Sequence, residues 1–431
     1  MGEIVGGMTR AAGPRPAARS VFASYRGLLL GLLLLAGVLN YMDRQIIAVL
    51  KPMLQAELGW DDKIYGHLVS LFQFAAAVAF LFAGWFVDRV GWRRANPLGV
   101  GAWSLAAMAH GFAQTVGQFS AVRVALGATE AVGTPAAIKT VAVWFRPEER
   151  SVALGAVNAA TNLGAIITPL AVPAMALALG WRTTFMIVGG IGLLWVVCWW
   201  LLMSSDRLGD PPNQTSAAPQ GQPVPWRIIL TDRRTWAVAG AKALTDQVWW
   251  FLLFWMPDLF LRVFHLDMRS FGVPLATIYA TAAVGSLLGG YVSGRLLAGG
   301  MSLNRARKMS LLVCALLVLP VPLVMQVDNH WQAVALLALT LAAHQGFSVN
   351  LFALITDVVP ASRVGSVTSV GALCGNIAGM LVLQAAGWVL ASGGSYAPFF
   401  FLAASSYLLA LLWIHLLLPT LKPVEATGAG D

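Results

Sequence analysis

Long apolar stretches alternate with short polar segments along almost the whole chain. An α-helix needs about 20 apolar residues to cross the hydrocarbon core of a bilayer. The pattern therefore predicts an all-α integral membrane protein with about 12 transmembrane helices in two six-helix bundles. The predicted spans lie near residues 27–50, 64–87, 96–115, 118–143, 152–176, 184–204, 235–261, 271–297, 309–327, 331–358, 366–390 and 396–419.

Polar segments divide these spans into two sets of six. Residues 1–26 are interpreted as a cytoplasmic tail, residues 27–204 as the N-terminal bundle and residues 235–420 as the C-terminal bundle. The intervening residues 205–234 are rich in Pro, Gln, Ser and Ala, a composition typical of a flexible linker. Residues 421–431 form a second predicted tail.

The distribution of basic residues predicts the orientation. With the N-terminus inside, 19 of the 28 Lys and Arg residues lie on the inner side, five lie outside and four lie within spans. Short cytoplasmic loops carry the excess of Lys and Arg. We therefore expect both termini and the linker to face the cytoplasm, in a multi-pass protein of the inner membrane.

Two short sequences recur at matching places in the two halves. Arg89 ends the second span as Arg295 ends the eighth, and Arg150 follows the fourth span as Arg363 follows the tenth. The similar spacing indicates that one six-helix unit is used twice, which is typical of secondary transporters.

Composition excludes several classes of protein. Hydrophobic residues make up 58% of the chain and charged residues 11%, against about 25% charged residues in a soluble domain. The net charge of +9 comes from residues scattered between spans, so we expect no nucleic-acid partner. We expect a monomer that is surrounded by lipid.

Signs of catalysis are lacking in the sequence. There is no phosphate-binding Gly-rich loop followed by Lys-Ser/Thr, no nucleophile and base pair, and no metal-ligand spacing among the cysteines. We expect no enzymatic activity, no metal and no cofactor.

Charged residues inside spans are the main candidates for function, because each costs about 2.5–3.5 kcal/mol to insert. The first span carries Asn40, Tyr41, Asp43 and Arg44. These residues face a cavity, or alternatively lie at an outer helix end in contact with water.

The fourth span carries Arg123 and Glu130. Their spacing of seven residues places them on one helix face, about 10 Å apart along the axis. The pair predicts a site for an anion and a proton, or alternatively a fixed ion pair between helices. Lys139 falls on the opposite face and is given no role.

The seventh span carries Lys242 and Asp246, which are spaced as a simple helix pair, followed by Trp249 and Trp250. Tryptophan offers an apolar face and a hydrogen-bond donor to a sugar ring. Trp249 and Trp250 could equally face lipid.

The tenth span is polar near its middle. Gln345, Ser348 and Asn350 can donate and accept hydrogen bonds, as binding of a polyol requires, and Asn376 in the eleventh span is a further candidate. His344 is either a proton relay or a packing residue.

A charged motif ends the second span. Its small and charged residues can form an inner-side gate that opens when the halves move, since glycine permits close helix approach and an acid can pair with arginine or with helix amides. The residues are Gly84, Asp88, Arg89, Gly91, Arg93 and Arg94.

These motifs resemble those of the anion:cation symporter family of the major facilitator superfamily, and most closely those of its hexuronate transporters. The resemblance covers nearly the whole chain and is carried by residues 40–45, Arg123 with Glu130, residues 144–151, residues 245–251 and residues 347–352.

The resemblance implies proton-coupled import of galacturonate, glucuronate or a related sugar acid. It also implies that Asp43 and Glu130 carry protons, and that Arg44 and Arg123 hold the substrate carboxylate. Many relatives have a tyrosine in the second helix where this chain reads Phe74-Ala-Ala-Ala, so the sugar acid stays open.

Other functions remain as alternatives. The protein could carry another organic anion, such as an aldonate, an aldarate or an aromatic acid. It could also be a membrane receptor that binds a sugar acid without transporting it, although the linker offers little signalling surface.

Overall fold

The computed structural model describes residues 25–203 and 225–421, which fold into α-helices joined by short connections. The predicted tails and most of the predicted linker lie outside the described residues. The helices are α1 (Tyr25–Leu58), α2 (Asp62–Val90), α3 (Trp92–Ala109), α4 (Val116–Glu130), α5 (Gly133–Trp144), α6 (Pro147–Leu179), α7 (Trp181–Met203), α8 (Trp226–Thr231), α9 (Arg233–Arg262), α10 (Gly272–Ala298), α11 (Leu303–Val318), α12 (His330–Val358), α13 (Ala361–Ala391) and α14 (Ala397–Leu417).

Nine helical segments of the described chain are long and apolar enough to cross a membrane, which confirms a multi-pass, all-α protein. Three of the predicted spans fall short of that standard. The third is the 18-residue α3, the fourth is divided into α4 and α5, and the seventh is α9, which carries six charged residues. The count of twelve spans therefore stays a prediction.

Local sequence signals explain several of the helix boundaries. The side chain of Asp61 accepts a hydrogen bond of 2.7 Å from the amide of Ile64 and so caps α2. Gly91 has a φ of 83°, which allows the sharp turn between α2 and α3. Pro135 has no amide hydrogen, and its ring conflicts with the carbonyl of Ala131 four residues earlier, which accounts for the break between α4 and α5.

The helices form two halves that meet along a few pairs. Within α1–α7, α1 packs on α6, α2 on α4 and α3 on α7. Within α9–α14, α9 packs on α13 and α14, and α10 packs on α12. The contacts between the halves run mainly from α2 to α13, from α6 to α10 and from α1 to α9.

Large apolar side chains cover the outside of both halves. Leu287 is 76% exposed and Leu416 is 64% exposed. Side chains of this kind favour contact with lipid rather than with water.

The two halves approach closely at one end of the molecule. A Cβ atom on Gly66 of α2 would lie 2.8 Å from the Cα of Gly387 on α13, so only glycine fits this crossing. Gly272 of α10 packs in the same way on the backbone of Pro169 in α6. The small residues bring the backbones of the two halves into direct contact.

Four charged side chains join the halves beside these crossings. The Lys51 ammonium lies 2.8 Å from Asp62 and 2.7 Å from Asp258. Arg262 pairs with both aspartates, and the Tyr396 hydroxyl donates to Asp258. We call this cluster, together with the crossings at Gly66 and Gly272, the closed end.

The opposite end, where α1 begins and α14 ends, is called the terminal end. Its ion pairs each lie within one half: Lys139 with Asp88 at 2.6 Å in the first half, and Arg307 with Asp357 at 2.7 Å in the second. Among the residues that the structure describes, the hydrogen bonds between the halves lie in the middle of the molecule and toward the closed end.

Candidate functional site

An ion pair between α1 and α4 forms the centre of the candidate site. Arg44 donates to the Oε2 atom of Glu130 from Nε at 3.1 Å and from a terminal nitrogen at 2.9 Å. Glu130 is the last residue of α4, and its side chain is fully buried. Helical spacing places Arg123 on the same face of α4 as Glu130, but inter-helix packing brings Arg44 to this carboxylate.

Arg123 is fully buried, and none of its side-chain nitrogens has a hydrogen-bond partner within the described residues. Its guanidinium group lies 4.4 Å from the ring centre of Phe72. A buried cation is costly unless an anion or hydrogen-bond acceptors compensate it. Arg123 is therefore a ready binding partner for an anionic ligand.

Aromatic rings surround Arg44. The guanidinium carbon lies 5.2 Å from the ring of Tyr41, 5.3 Å from that of Phe72 and 5.2 Å from that of Trp250. Cation–π contacts of this kind hold a guanidinium group in place without neutralising it. Trp250 belongs to α9, so one of the rings comes from the second half of the molecule.

Phe72 lies between the two arginines, and nothing in the apolar sequence of α2 distinguishes it from the neighbouring Phe74. Phe72 is completely buried, whereas Phe74 is 49% exposed. Only the packing of α2 against α1 and α4 separates a residue of the site from one that faces outward.

Asp43 is the second acid of the predicted site. It is buried, and neither of its carboxylate oxygens has a hydrogen-bond partner in the part of the chain that the structure describes. Asp43 can therefore gain a proton without breaking an ion pair. Asn40, one turn earlier, accepts a hydrogen bond of 3.4 Å from Arg44.

The aromatic candidates of α9 have different surroundings. Trp250 lies over Arg44, whereas Trp249 stacks on His344 with ring centres 5.3 Å apart. His344 shares a hydrogen bond of 2.7 Å with the hydroxyl of Tyr407. Both tryptophans are buried, so neither faces lipid, and His344 has the contacts of a packing residue.

The amide candidates also divide into two groups. Asn376 accepts a hydrogen bond of 3.2 Å from Gln73, which links α13 to α2 across the interface between the halves. Asn350 donates to the carbonyls of Gly289 and Gly346 and so fixes α12 to α10. Its bonds are those of a structural residue.

Gln345 and Ser348 of α12 are half-buried. The structure brings neither of them to Arg44 through a described contact. Their place in a binding site stays a prediction.

The charged motif at the end of α2 lies at the terminal end, although its contacts differ from the prediction. Asp88 pairs with Lys139, for which the sequence predicts no role, and Arg93 donates to the carbonyl of Met203. Arg89 and Arg94 are exposed.

The two glycines of this motif serve different purposes. Gly91 makes the turn after α2, as its positive φ requires. Gly84 has no neighbouring atom within 4 Å of a Cβ position, so the close helix approach predicted there is absent from this conformation.

Three comparisons with known proteins agree with this architecture. The sequence model of the Major Facilitator Superfamily matches residues 33–383. The chain is 29% identical over 353 residues to a protein of Escherichia coli (strain K12) named "Probable L-galactonate transporter", an alignment that covers 79% of this chain and 77% of the relative.

A second relative, from the same organism, is named "Hexuronate transporter". It is 26% identical over 415 residues, which cover 93% of this chain and 95% of the relative. The crystal structure of a bacterial homolog to human lysosomal transporter Spinster, in an inward-facing and occupied conformation, superposes with a TM-score of 0.73 and covers 91% of this chain and 95% of that one. At 18% identity, this likeness shows a shared fold.

Proposed function

Because the chain belongs to the Major Facilitator Superfamily, we propose that it is a proton-coupled symporter that imports a sugar acid, such as a hexuronate, across the inner membrane by alternating access. The similarity to transporters named for hexuronate and L-galactonate supports a sugar acid as the substrate. The bundles at 27–204 and 235–420 are the two bodies that move relative to each other.

One observation carries the proposal for the substrate: Arg123 is a fully buried cation whose side-chain nitrogens have no hydrogen-bond partner among residues 25–203 and 225–421. A carboxylate can accept two parallel hydrogen bonds from a guanidinium group, which gives both affinity and orientation. Arg123 binds the substrate carboxylate first, and Phe72 keeps its guanidinium group beside that of Arg44.

Proton coupling follows from competition for Arg44. In this conformation Arg44 holds the Glu130 carboxylate. When the substrate carboxylate arrives, it competes with Glu130 for Arg44, and the released Glu130 takes up a proton. Substrate and proton then favour each other's binding, as thermodynamic linkage requires.

Asp43 serves as a second proton carrier. Its carboxylate oxygens have no hydrogen-bond partner in the described part of the chain, so its protonation balances charge without displacing Arg44. The proposed polar and aromatic lining for the sugar consists of Asn40, Tyr41, Trp249, Trp250, Gln345, Ser348, Asn350 and Asn376. Asn350 is the weakest candidate among them, because its side chain already bonds to the backbone.

The orientation in the membrane determines which side of the transporter is open in this conformation. If the terminal end faces the cytoplasm, as the excess of basic residues predicts, then the Lys51 cluster shuts the outer side of the transporter. The structure then represents an inward-facing state, and the Asp88–Lys139 pair belongs to the gate on the opposite side.

An aldonate is the second candidate substrate, favoured by the relative named for L-galactonate. The test is uptake of labelled hexuronates and aldonates into proteoliposomes, with and without an inwardly directed proton gradient. The proposal predicts accumulation of at least one sugar acid that depends on the gradient, and absence of any sugar-acid uptake would overturn it.

A further inference from the structure

A second ion pair lies largely buried on α9, in the C-terminal half. The Lys242 ammonium lies 2.8 Å from the Asp246 carboxylate on the next turn of α9. The side chains are 9% and 17% exposed. Charged residues at this depth are costly, and those that are found there commonly serve a pathway or a ligand.

The pair lies on the same helix face as Trp250, the ring that covers Arg44. Residues 242, 246 and 250 follow one another at intervals of four, so they form one row along α9. Gly371, Gly375 and Gly379 of α13 have the same spacing and make room for this row: a Cβ on Gly371 would lie 3.1 Å from the Lys242 side chain.

Trp250 ties this row to the candidate site. Its ring lies 5.2 Å from the guanidinium carbon of Arg44, which also lies 5.2 Å from the ring of Tyr41. Lys242 turns toward Asp246, so its ammonium group lies about one helical turn, roughly 6 Å, from the level of Trp250. Arg44 and Lys242 are thus separate cations in different halves of the molecule.

We infer that Lys242 and Asp246 form a second anion subsite, which selects a sugar acid that carries an acidic group at each end over one with a single acidic group. This inference rests on the proposed function, because it assigns one end of the substrate to Arg123 and Arg44. The second carboxylate binds Lys242, and the chain of the sugar acid spans the interface.

The partner of Lys242 explains why a second acid is required. A hydroxyl group cannot displace the Asp246 carboxylate from an ammonium group, because a neutral hydroxyl lacks the attraction between opposite charges that holds the carboxylate there. A second carboxylate of the substrate can displace Asp246. A substrate with a hydroxyl at its far end therefore leaves the Lys242–Asp246 pair intact and gains nothing from it.

The test compares two substrates that share a carbon skeleton, galactarate with two carboxylates and galactonate with one. Uptake into proteoliposomes is measured for the wild type and for the double variant Lys242→Met/Asp246→Asn, which removes the pair without leaving an unpaired buried charge. Exposed Glu57 and Arg182 form an ion pair, and Glu57→Gln/Arg182→Gln is the matched control.

We expect the wild type to have an apparent affinity for galactarate at least about tenfold above that for galactonate. The double variant should lose this preference and keep galactonate uptake within about threefold, while the control keeps both. Asp246→Asn alone frees Lys242 and should raise the affinity for galactarate.

Two results would overturn the inference and leave the proposed function standing. One is wild-type uptake of galactonate that excess galactarate does not inhibit. The other is a double variant that affects both substrates equally, which is the result expected of a purely structural pair. Failure of the wild type to transport any sugar acid would instead overturn the proposed function.

Discussion

Arg44 on α1 donates two hydrogen bonds to one carboxylate oxygen of Glu130 on α4, while Arg123 on α4 has no hydrogen-bond partner within the described chain. The two arginines of the site are therefore in different states. Arg44 is paired with a protein carboxylate, whereas Arg123 is proposed to bind an anion. This asymmetry permits substrate and proton binding to be linked.

Arg123 is expected to tolerate no substitution, including a conservative one. Arg123→Lys keeps the charge but loses the planar pair of donors, and a hydrogen bond to a charged group contributes about 1.5–3 kcal/mol. We predict a loss of substrate affinity of at least about tenfold for both Arg123→Lys and Arg123→Ala. Equilibrium binding to purified protein measures it, with Arg182→Lys as the control; unchanged affinity in either Arg123 variant would refute the assignment.

Phe72 is expected to increase the affinity for the substrate, because its ring contacts both arginines of the site. Phe72→Leu removes the ring that contacts Arg44 and Arg123, and each such contact contributes about 0.5–2 kcal/mol. The predicted loss of affinity is about two- to thirtyfold for each contact that is lost, with Phe72→Tyr near the wild type. The exposed neighbour provides the control: if Phe74→Leu weakens binding as much as Phe72→Leu does, the role of Phe72 is disproved.

The length and spacing of the apolar runs are enough to predict the helical membrane fold. The second span, predicted at residues 64–87, is observed as Asp62–Val90, because a helix continues until a cap such as Asp61 or a turn such as Gly91 ends it. The break at Ala131–Val132 is missed, although Pro135 gives a local signal for it.

The contacts between helices are the part of the site that cannot be predicted from the sequence. Helical spacing relates Arg123 to Glu130 and Lys242 to Asp246 because each pair lies on one helix. It contains no information on which helix lies alongside, so the Arg44–Glu130 and Asp88–Lys139 pairs were unexpected. The Lys51 cluster is missed for the same reason: its members come from α1, α2 and α9.

The closed end should open when the glycine crossing is filled. Gly66→Ala places a Cβ 2.8 Å from the Cα of Gly387, and overpacking of this kind costs about 1–3 kcal/mol. The population should shift toward the state in which the closed end is open. In a background without native cysteines, Ser70→Cys, at a position that is now buried, should then react about tenfold faster with a thiol reagent.

Gly190→Ala is the control for this shift, because Gly190 has no neighbouring atom within 4 Å of a Cβ position. Equal labelling rates in Gly66→Ala and Gly190→Ala would show that the crossing does not set the conformation.

The orientation can be tested at two exposed positions, Arg227 in α8 and Arg269 between α9 and α10. The excess of basic residues at the terminal end predicts that Arg227→Cys is protected from an impermeant thiol reagent in intact cells. Arg269→Cys should react. The reverse pattern would place the linker outside and invert the assignment of the two gates.

In the proposed mechanism, Glu130 separates from Arg44 and takes up a proton when the substrate binds. Glu130→Gln imitates the protonated side chain, so this variant should still bind substrate and exchange it across the membrane. It should fail to accumulate substrate, because it cannot bind and release a proton. Glu57→Gln, the same change at an exposed acid, should retain both activities.

The most direct measurement records counterflow and pH-driven uptake side by side in proteoliposomes containing Glu130→Gln. We expect counterflow near the wild-type rate and no accumulation driven by the proton gradient. Full accumulation by Glu130→Gln would contradict the mechanism, and loss of both activities would show that the Arg44–Glu130 pair is a fixed structural element.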